Sequence, residues 1–260
     1  GKVIDLFQKD FKQIYPNEGW VEHNPLEILS STILCCESVI SKNSGIEIKS
    51  IGITNQRETI LAWDKKTGKP FYNAIVWQDR RTSEFCSNLK KEGLEREINK
   101  KTGLLLDPYF SSSKISWLLE NVNGLRNLAN KGDVCFGTVD SWLIWNLTNG
   151  DTFATDYTNA SRTSLYNIQT LKWDDELLSI FDIPLQSLPE VRNSNDYFGE
   201  TKLLSKKLKI TGVIGDQQSS AFGQSCYQSG DVKSTYGTGC FLLANTGKEM
   251  PQTLDFVRDI

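Results

Sequence analysis

Residues 210–226 run from an apolar strand-like stretch, Ile210-Thr211-Gly212-Val213-Ile214, through Gly215-Asp216 directly into a helix-like stretch. The same switch recurs irregularly along the chain. Apolar runs at Ile48, Ile51 and Ile53 and over 59–63, 73–77 and 134–138 predict strands. Helical spacing covers 24–43, 81–100, 112–122 and 174–181, and the aromatic segment Trp142-Leu143-Ile144-Trp145 also reads as helical. Asp64-Lys65-Lys66-Thr67-Gly68 is a turn, and Gly237-Thr238-Gly239 is the turn of a hairpin over 234–245. Hairpins interleaved with helices predict an α/β domain with a mixed sheet, not a strictly repeated βαβ wheel.

Local chemistry is clearest over 24–43. Asn24 suits an N-cap, Pro25 the first helical position, and Glu27 stands at capping-box spacing. Leu26, Leu29, Ile33, Cys36 and Ile40 would form the buried face. Residues 3–15 are ambiguous, because Ile4, Phe7, Phe11 and Ile14 also have helical spacing.

Composition narrows the function. The chain has 260 residues, with 29 Lys and Arg interspersed among 32 Asp and Glu, for a net charge of −3. No basic block offers a footprint for nucleic acid or an anionic membrane. No apolar run approaches the ~20 residues that span a bilayer. The six cysteines include no C-x-x-C pair and His23 is the only histidine, so no metal ligands are expected. Scattered cysteines of this kind suit a reduced, cytoplasmic protein. One histidine leaves little room for a Ser-His-Asp or Cys-His mechanism, so acid–base work would fall to carboxylates.

Three clusters could carry chemistry. Gly52-Ile53-Thr54-Asn55-Gln56-Arg57-Glu58-Thr59 continues a strand into charged residues. It reads as a salt-bridged surface turn or as binding groups at a strand end, where α/β sheets hold ligands. Neighbours in a strand point to opposite faces, so Arg57 and Glu58 reach one site only if the chain leaves strand geometry there. Asp216 reads equally as a helix N-cap or as a general base. Thr238 between two glycines is a hairpin turn or a phosphate-binding one. No Walker A loop occurs. Trp77, Tyr109 and Phe241 read as packing residues on base rates, and spacing cannot show whether they converge.

Taken together, these stretches resemble the FGGY carbohydrate kinases, and within them the glycerol kinases. The resemblance is carried by Gly19-Trp20-Val21-Glu22-His23, by residues 52–59, and by Tyr72-Asn73-Ala74-Ile75-Val76-Trp77-Gln78-Asp79-Arg80-Arg81-Thr82. It continues through Asp107-Pro108-Tyr109-Phe110-Ser111, Thr155-Asp156-Tyr157-Thr158-Asn159-Ala160-Ser161-Arg162-Thr163, Gly215-Asp216-Gln217-Gln218 and Thr235-Tyr236-Gly237-Thr238-Gly239-Cys240-Phe241. These run in family order across nearly all of residues 10–247.

The resemblance implies an actin-like, ribonuclease-H-type ATPase fold with a mixed central sheet, here truncated. It implies ATP-dependent phosphorylation of glycerol to sn-glycerol 3-phosphate, with Mg²⁺ as the accompanying ion. Kinase activity on another polyol or ketose, or a non-catalytic ligand-binding fragment, are the alternatives. Carried over by position, Arg57, Glu58, Tyr109, Asp216 and Gln217 would hold glycerol hydroxyls, and Trp77 and Phe241 would pack its carbon face. Asp216 would take the proton of the attacking hydroxyl, and Thr238 with Gly239 would touch nucleotide phosphate. No protein metal ligand is assigned, and homo-oligomerisation of the full-length enzyme is compatible with the resemblance. The family would make residues 3–15 an extended strand.

The chain also departs from the family pattern. It begins with Gly1 and has its only methionine at Met250, and it lacks the family's opening Asp-Gln-Gly-Thr-Thr hairpin. The expectation is a fragment: residues 1–228 as the substrate domain without its first strands, 229–247 as the start of the nucleotide domain, and 248–260 as a tail unlike the family. Thr201-Lys202-Leu203-Leu204-Ser205-Lys206-Lys207-Leu208-Lys209 replaces the Gly- and Arg-rich effector segment of some bacterial members, so fructose bisphosphate control is not expected.

Overall fold

A computed structural model describes residues 2–237 and 239–248. The strand Ile60–Asp64 explains the architecture. Ile60 and Ala62 belong to one apolar core with Ile75, Leu118, Phe136 and Phe181. Leu61 and Trp63 belong to a second core with Ala74, Cys135, Trp142 and Val213. Alternate residues of a strand face opposite ways, so an unbroken apolar run is what a strand covered on both faces requires. The neighbouring strand Val134–Thr138 divides likewise, with Val134 and Phe136 in the first core and Cys135 in the second.

These two strands pair antiparallel in a five-stranded sheet that continues through Ala74–Ile75 and Glu22–His23 to Gln13–Ile14. Beside it, Ser50–Asn55 and Lys209–Gly215 pair in parallel, ending at the opposed residues Asn55 and Gly215. A second parallel pair joins Ala154–Asp156 to Glu190–Arg192. Parallel and antiparallel pairings coexist, so the mixed α/β expectation holds. The ends of three parallel strands, at Asn55, Asp156 and Gly215, adjoin one another.

The helix Pro25–Lys42 starts as its sequence dictates, with the Asn24 side chain accepting from the Leu26 N–H. Its buried face differs in detail from the expectation. Ile28 and Ile40 are buried, Leu29, Ile33 and Cys36 are half-buried, and Leu26 is exposed. Leu26 sits on the first turn, where its side chain stays in solvent. The expected helix over 81–100 is two helices, Ser83–Lys91 and Glu95–Thr102, separated at Gly93, whose φ of 83° is left-handed. Residues 3–15 form neither the helix of their spacing nor a full strand. Only Gln13–Ile14 pairs, and Val3, Ile4 and Leu6 are exposed, so no core fixes the segment. Among the described residues no helix is long and apolar enough to cross a membrane. All six cysteines are free.

Candidate active site

The strand Ser50–Asn55 ends two residues before Arg57, and the chain then turns sharply. The Thr59 N–H donates to the Arg57 carbonyl at 2.7 Å, and Glu58 between them has φ 61°. This three-residue turn with a positive central φ is strained for a residue with a side chain, and such strain gathers at functional sites. It answers the geometric condition set by the sequence. Two adjacent side chains that a strand would send apart both enter one cleft.

Asp216 enters the same cleft from the parallel neighbour. Gly215 is the N-cap of the helix Asp216–Gly223, and no side chain caps it. Asp216 is therefore the first helical residue and not the cap, and its side chain stays 45% exposed. Its Oδ1 lies 3.3 Å from Arg57 Nε. Below it, the Gly215 N–H donates to Thr158 Oγ1 at 2.7 Å, and that hydroxyl donates to Asp156 Oδ2 at 2.7 Å. Asn55 and Asn159 exchange side-chain amide hydrogen bonds at 3.0 and 3.1 Å. Buried polar bonds thus tie the three strand ends into a rigid floor. Burial, and then the charge of Asp156, push the Asp140 carboxyl in this floor up to about 7.

Arg57, Glu58, Trp77, Tyr109, Asp216, Gln217 and Phe241 together line the cleft. They are the seven substrate residues expected from the sequence, delivered by five separate stretches of chain. Trp77 stands edge-on to Tyr109, with ring centres 5.5 Å apart, and to Phe241 at 6.5 Å, which makes an aromatic wall opposite the charged groups. Burial first, and the Glu58 charge second, push the Tyr109 phenol up to about 12, so it remains a neutral O–H at pH 7. Lys233 donates to Gln217 Oε1 and, at 2.8 Å, to Thr235 Oγ1. An ammonium only donates, so the Gln217 carbonyl must face it and the amide N–H group is the end left for a ligand.

Gly237 N–H donates to the Gly239 carbonyl at 3.1 Å in the hairpin between Val232–Tyr236 and Cys240–Ala244. A Cβ on Gly239 would meet the Phe241 ring at 2.7 Å, so this turn must be bare for the aromatic wall to form. Thr238 lies outside the described residues, as does the expected tail from residue 249 onward.

Sequence reasoning missed several groups. Arg162 donates to Glu58 Oε1 at 2.6 Å, and Lys114 donates to the Tyr109 carbonyl at 2.6 Å. Burial holds the Lys114 ammonium down to about 8. Thr158 and Lys233 were missed as well. Arg162 and Thr158 lie in a stretch that carried the resemblance, but Lys114 follows three serines and reads as a surface residue.

This two-faced mixed sheet with a charged cleft at its strand ends matches solved carbohydrate kinases of the actin-like ATPase fold. The chain belongs to the FGGY family of carbohydrate kinases, whose N-terminal domain it matches over residues 1–223. It is 56% identical to glycerol kinase 1 of Clostridium tetani over 253 residues, 96% of this chain and 51% of that protein. A glycerol kinase of Fusobacterium nucleatum is 56% identical over 254 residues, 95% of this chain and 51% of that one. The crystal structure of Plasmodium falciparum glycerol kinase with ADP superposes with a TM-score of 0.90 at 42% identity, covering 93% of this chain and 49% of that chain. The gluconate kinase of Lactobacillus acidophilus shares the fold at 23% identity, with a TM-score of 0.80 over 90% of this chain and 47% of that chain. The chain spans about half the length of the curated relatives it matches.

Proposed function

We propose that the cleft binds glycerol and serves its phosphorylation by ATP to sn-glycerol 3-phosphate. The convergence of all seven expected side chains on one cleft carries this reading. Arg57 and the Gln217 amide donate, Glu58 and Asp216 accept, and a hydroxyl can do both, so a short polyol satisfies the whole set. The aromatic wall of Trp77, Tyr109 and Phe241 would pack against the carbon chain.

Asp216 is the base in this reading. Its exposed carboxylate can accept the proton of the attacking hydroxyl, while Arg57 holds it from behind. Phosphoryl transfer depends on positioning and electrostatics, and a floor tied by buried hydrogen bonds supplies the positioning. ATP would supply the phosphoryl group, with bare backbone at Gly237 and Gly239 next to Phe241 able to approach its phosphates, and with Thr238 added by the resemblance. Mg²⁺ accompanies ATP by family resemblance. Among the described residues no group of three or more His, Cys, Asp or Glu side chains could hold it.

The division at residue 228, with 229–247 opening a nucleotide domain, belongs to the same proposal, as does a reducing cytoplasmic setting for the six free cysteines. Calorimetric titration of the chain with glycerol, D-xylulose and gluconate tests the substrate. Saturable binding of glycerol in preference to the other two is the expected result. A preference for the ketose or the sugar acid would overturn the glycerol assignment.

A further inference from the structure

Arg162 does not line the cleft, yet it touches two residues that do. Its Nε donates to Glu58 Oε1 at 2.6 Å, and the two side chains are only 6% and 2% exposed. The same guanidinium lies over the rings of Tyr109, at 5.7 Å, and Phe110, at 5.0 Å. It is delivered by the short 3-10 turn Ser161–Thr163, directly after the helix Tyr157–Ala160. Asp156 caps that helix, accepting from the Thr158 and Asn159 N–H groups. The floor that fixes Gly215 and Asp216 therefore also fixes Arg162.

We propose that Arg162 is a positioning residue that sets substrate affinity and specificity through Glu58 and Tyr109. This rests on the glycerol reading of the cleft. Glu58 sits at a strained turn and is almost wholly buried, so its carboxylate needs a cation to compensate its desolvation and a directional donor to hold its rotamer. Arg57 Nε stands 3.8 Å from the same Glu58 oxygen, beyond hydrogen-bond distance, so Arg162 supplies the donor and the nearer charge, and its flat face lies over the Tyr109 ring. Only a guanidinium can bond a carboxylate through an edge N–H while its face covers an aromatic ring, so lysine at this position restores charge without geometry.

The test is a double-mutant cycle on the 260-residue chain, with glycerol affinity read by calorimetry and folding by thermal melts. Arg162→Met should weaken glycerol binding about 10- to 100-fold, the range for losing a charge-assisted hydrogen bond, and Arg162→Lys should recover part of that loss. In a Glu58→Gln background, Arg162→Met should add less than about threefold, the part carried by Tyr109, because most of its effect runs through Glu58. Wild-type affinity in Arg162→Met, or the same fold loss with and without Glu58, overturns the proposal. If Arg162→Met does not fold, Arg162→Lys carries the same comparison.

A wild-type chain that binds no glycerol would defeat the substrate reading instead. Positioning is then read from the Glu58 side-chain carboxylate carbon by NMR, assigned by its disappearance in Glu58→Gln. That resonance should move in Arg162→Lys. An unmoved resonance overturns the positioning role.

Discussion

A Cβ placed on Gly215 would lie 2.6 Å from Cδ of Arg57. The strand that delivers Asp216 and the arginine that pairs with it occupy adjoining space only because residue 215 has no side chain. Gly215→Ala should therefore push Arg57 out of the cleft, since an added methyl in packed surroundings costs about 1–3 kcal/mol in displaced neighbours. Calorimetry should find glycerol affinity reduced about tenfold or more, beside an unaffected Gly45→Ala control whose Cβ meets nothing within 4 Å. Equal affinities in the two variants would mean that Arg57 does not hold the ligand.

Arg57 itself is 3% exposed, with Asp216 and Gln218 as partners. Arg57→Ala should weaken glycerol binding by about 1–3 kcal/mol for each ligand or protein group left unpaired. Lys90→Ala removes a surface ion pair with Glu95 and should change affinity by less than about 1 kcal/mol. Indistinguishable binding by the two variants would return Arg57 to the role of a structural turn residue.

Asp216→Asn keeps the shape of the helix start and removes the proton acceptor. Glycerol should still bind. In any preparation that forms glycerol 3-phosphate, turnover should fall by ~10²–10⁴. Near-normal turnover in this variant would assign the base to another group.

Lys114 gives the chain a pH signature. Burial lowers its ammonium from the ordinary lysine value of 10.5 to about 8. Between those values the unfolded chain binds the extra proton, so this group makes folding more favourable as pH rises from 8 to 10.5. Below that window the cost of burying the charge is felt in full. Lys114→Met removes the titration, so its stability relative to wild type should decline across the window, by on the order of 2–3 kcal/mol in urea melts. A constant difference between pH values of about 7.5 and 10 would show that the ammonium is not buried.

Much of this fold was legible locally. Asn24-Pro25 sets the start of its helix through one cap and one fixed φ. The strand Val134–Thr138 and the hairpin about residues 237–239 follow from apolar runs and turn residues within a few positions. Where the sequence failed, longer-range packing had the decision. Residues 3–15 carry a helical period, but nothing covers Val3, Ile4 or Leu6, and a period without a burying partner stabilises no helix.

The candidate site divides along the same line. The family resemblance, carried over by position, pointed to Arg57, Glu58, Tyr109, Asp216 and Gln217, while residue types alone left each of them a plain structural reading. Their convergence was invisible, since contacts across more than a hundred residues leave no mark on spacing. Only the folded chain showed that Glu58 turns at φ 61°, that Gly215 yields its space to Arg57, and that Arg162 reaches Glu58 from 104 positions away. Sequence determined which groups exist and which local turns they favour. Burial on both faces of the sheet decided where those groups meet, because the free energy that holds a strained turn and a desolvated carboxylate in place comes from packing distributed over the whole domain.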